Sequence, residues 1–375
     1  MTLSGLILIF ILIYNFKEIL SVVKNNKYLE KFEFKIFYLF IFLSFIQSIF
    51  VINPTFHLGG IIGHYFIYTI FYFILLVSIK ERKDLDYISN SLIYSGLFLS
   101  IIAILAFSNI IEGFKLFYIP LYGGDYLINL DIGNYTNKAS SFSMNPNNLG
   151  AFLLLSIFTI LGFKNKNIDI IVFISLFLQI ICLILTKSRG SIISFIVGLI
   201  LFLIFSSSKK EKTIYFGLLF SSILFLFYSQ AYSQLLNTMF DFEYSSNYLR
   251  IKTWYISLDI IKNFPQGVGI LNYESIYPYY LSAKDKYIPH AHNWYLQTFI
   301  ESGVLLGFLF FSFYFKVIIR FLKKLSYENY GIPIGLIAFA IFNITDYVLT
   351  DTRICMLLTF TIFSGYFFIK TEESK

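Results

Sequence analysis

Pro289-His290-Ala291-His292-Asn293-Trp294-Tyr295-Leu296-Gln297, continuing through Glu301-Ser302-Gly303-Val304-Leu305-Leu306-Gly307, sets two histidines, an aromatic pair and amides at the mouth of a long apolar run. That run extends to about residue 319 and is long enough to cross a bilayer as a helix. An imidazole at its start stands where water meets lipid. Such a place suits acid–base chemistry on a substrate held half in the membrane.

The rest of the chain has the same character. Of its 375 residues, 57% are hydrophobic, 21% aromatic and only 14% charged, whereas a soluble protein carries about a quarter charged residues. Apolar runs recur from end to end, which predicts an all-α polytopic membrane protein of about 11 (10–12) transmembrane helices. The expected spans are 3–16, 34–52, 60–79, 88–107, 149–163, 168–186, 190–206, 213–230, 294–319, 332–350 and 354–370. The first run has no cleavage pattern and reads as retained. Lys and Arg are dense in alternate links, as in Lys80-Glu81-Arg82-Lys83 and Lys209-Lys210-Glu211-Lys212. That alternation places the N-terminus outside and the C-terminal tail inside. The whole chain, 1–375, reads as one integral membrane domain with two long outer loops, 108–148 and 231–293. In the second, residues 248–262 read as an amphipathic helix lying on the outer membrane face.

The net charge of +7 mostly sets topology. No basic helix or aromatic-interleaved basic patch points to nucleic acid. Cys182 and Cys355 lie in apolar runs and read as small core residues. No Cys, His and carboxylate set shows metal-ligand spacing, so neither metal nor cofactor is expected.

A handful of polar residues ask for an explanation. Arg189, in Thr186-Lys187-Ser188-Arg189-Gly190-Ser191, opens a span at its outward end. There a helix N-terminus and a planar guanidinium both favour an anion such as phosphate. A plain interface anchor explains it equally well. Arg250 stands four residues before Trp254 and reads either as a second phosphate contact or as the ion-pair partner of Asp241 or Glu243. His292 is the candidate for proton transfer, with His290 two residues earlier as its rival. His57 and His64 flank Gly59-Gly60, which reads as a tight turn, and are taken as structural. Glu301 lies nine residues below His292, about 13.5 Å along a continuous helix and turned away from it, so it too reads as structural. Gly303 and Gly307 read as a small-residue pair for close helix contact. Asn145 and Asn147 frame Pro146 at a helix entry, where capping is the plainer reading. Asp351 and Arg353 are placed to pair with each other.

The ordered set resembles the O-antigen ligase/polymerase superfamily of bacterial polysaccharide assembly. Thr186-x-Ser188-Arg189-Gly190 resembles that family's T-x-S-R-G stretch. Arg250-x-x-x-Trp254 followed by Pro265-x-Gly267-x-Gly269 resembles its loop motifs. His292-Asn293-x-x-Leu296 followed by Glu301-x-Gly303 resembles its H-N-x-x-L…E-x-G motif, and Asn145-Pro146-Asn147 its N-x-N element. The resemblance implies a lipid-phosphate-sugar glycosyltransferase (GT-C-like) architecture in the bacterial cytoplasmic membrane, with an extracytoplasmic active site. It implies transfer of glycan from undecaprenyl diphosphate to an acceptor sugar, with inversion and without a metal or nucleotide. Carried over by position, Arg189 and Arg250 would bind the diphosphate and His292 would be the base. His290, Asn293, Arg353 and Asn147 are secondary candidates. A chain-length regulator or flippase is a conceivable partner. Polymerisation of repeat units is favoured over ligation of finished glycan to a surface acceptor. A flippase or transporter is the contrasting class, but it would show polarity at the membrane midplane and paired halves, whereas here the polarity collects at the outer rim.

Overall fold

In a bilayer each backbone N–H and C=O must find a partner within its own segment, so apolar runs of this kind fold as helices. The computed structural model describes residues 13–25, 31–108, 138–141, 145–164, 169–205, 217, 220, 245–282 and 287–373. Among them no strand occurs, and the regular elements are helices. These are α1 (Phe16–Asn25), α2 (Phe32–Gln47), α3 (Pro54–Ser78), α4 (Arg82–Phe107), α5 (Pro146–Lys164), α6 (Ile170–Leu185), α7 (Arg189–Phe205), α8 (Ser245–Asn263), α9 (Trp294–Lys324), α10 (Gly331–Phe342) and α11 (Thr352–Glu373). Five of them, α3, α4, α5, α9 and α11, are long and apolar enough to cross a membrane, and α6, α7 and α10 are shorter apolar helices. The chain is a polytopic helical membrane protein. The expected span 213–230 and nearly all of 3–16 lie outside the described residues, as does most of the loop 108–148.

The contacts divide the chain into two compact units. The first is formed by residues 1–85, 242–325 and 343–375. In it α2 packs along α9, α11 along α3, and α8 against α9. The second comprises residues 86–241 and 326–342. There α5 is almost wholly buried and is flanked by α6, α7 and α10. Apolar residues all round a helix call for burial on every side, and α5 meets that condition. Glycine sets its closest contact: a Cβ on Gly331 would collide with the backbone of Gly162. Beside it, the Ser175 hydroxyl on α6 donates to the Ile93 carbonyl of α4 at 2.9 Å.

Three expectations are corrected. Gly59-Gly60 makes no turn, because α3 runs through it and absorbs one π-helical stretch at Ile61–Phe66. Gly60 instead leaves room for Ile270, whose side chain a Cβ there would strike. The expected span 332–350 stops as a helix at Phe342. Beyond it the carbonyls of Asn343 and Ile344 are taken by the Trp294 N–H and the Asn293 side chain, both at 2.9 Å, which turns the chain out of the helix. Finally, the apolar face of α8 is not laid on lipid. Ile256 and Ile260 pack into a small protein core with Val268, Tyr273, Tyr277, Ile288 and Ile300.

Candidate active site

The site stands on a break in α9. Gly303 has φ 79° and ψ 171°, a backbone state reserved for glycine, and it interrupts the helix nine residues after its start. A break frees backbone groups, and at membrane depth these must be satisfied by protein. Pro265-Gln266-Gly267-Val268-Gly269 does so. Val268 N–H donates to Ile300 O, Gly269 N–H to Glu301 O, and Val304 N–H to Pro265 O, each at 2.9 Å. Gln47 from α2 clamps the junction, donating to Gln266 O at 2.7 Å and Glu301 O at 3.2 Å. Gly267 and Gly303 touch through bare backbone, so a Cβ on either would strike the other segment. The P-x-G-x-G and E-x-G motifs, some forty residues apart in sequence, are therefore two halves of one joint. Gly303 serves this joint rather than the helix–helix contact expected of it. His57 belongs to the same support. Its Nδ1 accepts from Ile270 N–H and its Nε2 donates to Ser44 O, both at 2.8 Å, which fixes one neutral tautomer.

Glu301 and Gln297 link this joint to the histidine loop. The Glu301 carboxylate accepts from Leu271 N–H at 3.1 Å and from the Gln297 amide at 2.9 Å. The Gln297 carbonyl in turn accepts from Ala291 N–H at 2.8 Å. Asn293 caps α9, accepting from Leu296 N–H at 3.0 Å. Leu296 packs on the core under α8. The H-N-x-x-L spacing is thus a cap plus an anchor.

Between these supports His292 sits at φ 46°, a strained left-handed conformation for a non-glycine residue. Its Nδ1 donates to Asp346 Oδ1 at 3.1 Å, and Asp346 also accepts from the Tyr347 N–H at 2.9 Å. An Arg250 amine nitrogen lies 3.7 Å from Asp346 Oδ2. One helical turn later, the Trp254 indole N–H reaches the His292 carbonyl at 3.4 Å. The R-x-x-x-W spacing puts both side chains on one face of α8. Arg250 therefore has a partner 96 positions away, while Asp241 and Glu243 lie outside the described residues.

Burial alone would keep Asp346 protonated, but the hydrogen bond and charge of His292, then Arg250, outweigh it and hold the carboxyl below its usual range. His290 is pushed the other way, down to about 4, by burial first and then by His292 and Arg250, with Asp346 opposing. Its ring centre is 4.1 Å from that of His292, and its Nδ1 accepts from the His292 N–H at 3.3 Å. His290 is thus a neutral neighbour whose Nδ1 is engaged. Ligand-type atoms of His290, His292 and Asp346 all lie within 4.8 Å of one another, a grouping that the sequence did not show because Asp346 is distant in the chain. The Arg250 cation beside Asp346 disfavours a second cation there.

The other candidates are placed as follows. Arg353 closes on Asp351 through two side-chain contacts, 2.9 Å and 2.7 Å, as the pairing reading expected. Asn145 caps α5 by accepting from Asn148 N–H at 2.9 Å, and Asn147 lies in the first turn. Arg189 is the first residue of α7 in the second unit. The turn before it is built by its motif: Lys187 takes φ 51°, and Thr186 Oγ1 accepts from Ser188 N–H at 3.2 Å. Both cysteines are buried and free. Sequence reading missed Gln47 and Gln297, and assigned Asp346 no role toward His292. Each acts through a partner supplied by a remote loop or helix break.

Residues 174–311 match the family model described as O-antigen ligase. The matched stretch contains Arg189, Arg250, His292 and the joint at Gly303. No curated protein matches the chain.

Proposed function

We propose that this membrane protein is an inverting glycosyltransferase that moves glycan from undecaprenyl diphosphate to an acceptor sugar hydroxyl at the outer face of the cytoplasmic membrane. The observation that carries this reading is the His292–Asp346 contact at the head of α9. A carboxylate on Nδ1–H holds the ring in one tautomer and leaves Nε2 as the basic nitrogen. In the proposed step the acceptor O–H gives its proton to His292 Nε2. Its oxygen forms the bond to the anomeric carbon, and the bond from that carbon to the phosphate oxygen breaks. The electron pair departs with undecaprenyl diphosphate. Arg250 and Arg189 are assigned to that diphosphate. For Arg250 the support is its 3.7 Å approach to Asp346, too long for a hydrogen bond, and a buried Nε without a hydrogen-bond partner among the described residues. Its guanidinium keeps donors to give. For Arg189 the support is its place at the N-terminus of α7, where helix and side chain act on the same anion.

Polymerisation of lipid-linked repeat units is the preferred form of this transfer. Ligation of finished glycan to a surface acceptor is the second reading, favoured by the description of the matching family. A deletion strain carrying wild type or His292→Ala tests both, with lipid-linked and surface glycan resolved by length. Accumulated single repeats and no long chains mean a polymerase. Long chains retained on undecaprenyl diphosphate mean a ligase. Normal glycan from the His292→Ala strain refutes the mechanism.

A further inference from the structure

In the proposed step the reacting nitrogen belongs to His292, and a ring is aimed only as well as the main chain that carries it. The left-handed backbone of His292, φ 46°, is a conformation that persists only where its neighbours over-determine it. Three contacts do so. The Trp254 indole N–H reaches the His292 carbonyl at 3.4 Å, and the His292 N–H reaches His290 Nδ1 at 3.3 Å. Both are long. The third is short: the N–H of Ala291, one residue before His292, donates to Gln297 Oε1 at 2.8 Å. Gln297 and Ala291 are both buried. The Gln297 amide has one orientation, because Nε2 donates to Glu301 Oε1 at 2.9 Å, and a flip would set N–H against N–H and carbonyl against carboxylate. Its main chain belongs to the first turn of α9, where the Gln297 N–H donates to Asn293 O at 2.9 Å. The same turn holds the Asp346 loop, through the Trp294 N–H on Asn343 O and the Asn293 amide on Ile344 O. Asp346 and His292 are thus both registered to the head of α9, the one through Asn293 and Trp294 and the other through Gln297.

We propose that Gln297 is a positioning residue for the transfer step: by holding Ala291 it aims the His292 ring so that Nδ1 meets Asp346 while Nε2 faces the acceptor. The proposal rests on the glycosyl-transfer reading for the reaction that His292 serves. Gln297 itself touches neither substrate nor reacting atoms. Its loss releases one side of the His292–Asp346 pair and leaves the other in place, because the Asp346 loop is held by Asn293 and Trp294. The ring then swings relative to a fixed carboxylate. Arg250 and Arg189, to which the diphosphate is assigned, have no contact with Gln297 in this arrangement. The effect therefore belongs to the rate of the chemical step and not to donor binding. Glu301 takes part as the group that fixes the direction of the amide, and a hydrocarbon side chain at position 297 has neither the acceptor nor the donor.

The test reads position and rate separately. Gln297→Leu removes the acceptor, and Gln297→Met, which keeps the unbranched shape of the glutamine, covers the case in which the first variant fails to fold. The full chain in detergent is labelled with nitrogen-15 in its histidine rings, and His292, one of four histidines, is assigned by the signal missing from His292→Ala. In the wild type His292 is expected to show a single Nδ1–H tautomer by magnetic resonance. In the folded variants its signals should move toward an average of both tautomers. Transfer is measured with purified protein added to solubilised membranes of the deletion strain, which hold the lipid-linked glycan and its acceptor. The expected loss in kcat is about ten- to a hundred-fold, with the apparent KM for the lipid-linked glycan within about two-fold of wild type. A merely structural glutamine would lower the melting temperature and leave both the His292 signals and kcat per folded molecule as they are. Unchanged kcat in both folded variants overturns the proposal, as does a fallen kcat with unchanged His292 signals. A raised KM at full kcat overturns it too, by placing Gln297 in donor binding. The ring signals need no substrate. A changed tautomer in a protein whose wild type transfers no sugar therefore upholds the hold on His292 and refutes the transfer reading, whereas normal transfer by both variants does the reverse.

Discussion

At opposite ends of α9 two buried carboxylates of the first unit, Glu33 and Asp346, each meet an arginine, and only one of them is built to react. At the C-terminal end Glu33 pairs with Arg320, whose second contact is 3.1 Å, and accepts from the Tyr366 hydroxyl at 2.7 Å. Both carboxylate oxygens are used, and the third member of the cluster is a phenol that spends its proton on Glu33. At the N-terminal end Asp346 meets His292 and Arg250. The Asp346 side chain is 6% exposed, but His292 is 26% exposed and keeps its second nitrogen. The two clusters have like charges and unlike endings. A saturated cluster fastens helices, whereas one that ends in an exposed imidazole can pass a proton on.

The largest expected effects would separate the two. Asp346→Asn is expected to lower transfer by about 10²–10⁴-fold, because the amide no longer selects the His292 tautomer or stabilises its protonated form. The protein should still insert, at a smaller loss of stability than Glu33→Ala brings, because the amide keeps the shape of the carboxylate while leaving Arg250 without its counter-charge. Glu33→Ala should do the opposite. It strands the Arg320 charge and the Tyr366 hydroxyl, and should cost about 3 kcal/mol, at the low end for a broken buried pair because Arg320 is a quarter exposed. Transfer per folded molecule should persist. Steady-state transfer measured beside thermal unfolding in detergent checks both. A Glu33→Ala protein that is stable but inactive would erase the distinction between bolt and site.

How far this contrast was legible in the sequence differs residue by residue. His292 and Arg250 stood out because a histidine and an arginine at the rim of apolar runs are costly and few. Helical spans were legible because the bilayer imposes their length and their composition. Glu33–Arg320 was not legible: its members are 287 residues apart and each looks like a routine flanking charge. Asp346 was hidden inside an apolar run that reads as one span, because hydropathy averages over the loop that carries it. The joint at Gly303 was half legible. Both motifs were visible, but a continuous helix was the default, and only the backbone contacts between 265–269 and 300–304 reveal that each repairs the other.

That joint gives the next prediction, no larger than the effect expected of Glu33→Ala. Gly303→Ala asks an L-residue to hold φ 79° and drives a methyl into the Gln266 carbonyl. The expected cost is roughly 3 kcal/mol from backbone strain and overpacking together. Because Glu301 and Gln297 connect the joint to Ala291, the loss should also loosen the histidine loop. Hydrogen exchange should then rise at residues 289–293 but not at the Glu33 cluster. Equal loosening at both ends would mean that α9 transmits the damage as a rigid rod.

The smallest effect sharpens the comparison by pH. His290 is held at about 4 in the folded protein, against about 6.5 for an unfolded histidine. Below 6.5 the unfolded state therefore binds the extra proton first, and stability that is full above that value is lost as pH falls toward 4. Asp346, with its lowered range, adds a loss of the same sign only at still lower pH, as its carboxylate is protonated. Between pH 7 and pH 5 the expected drop is about 2 kcal/mol, read as a falling melting temperature in detergent. His290→Gln should flatten that slope while leaving stability at pH 7 nearly unchanged, since the amide oxygen can still accept the His292 N–H. The Glu33 cluster has no histidine among these partners, so Glu33→Ala should lower the whole curve without changing its slope over this window. A slope that survives His290→Gln would place the pH-sensitive group elsewhere and remove His290 from the account of the site.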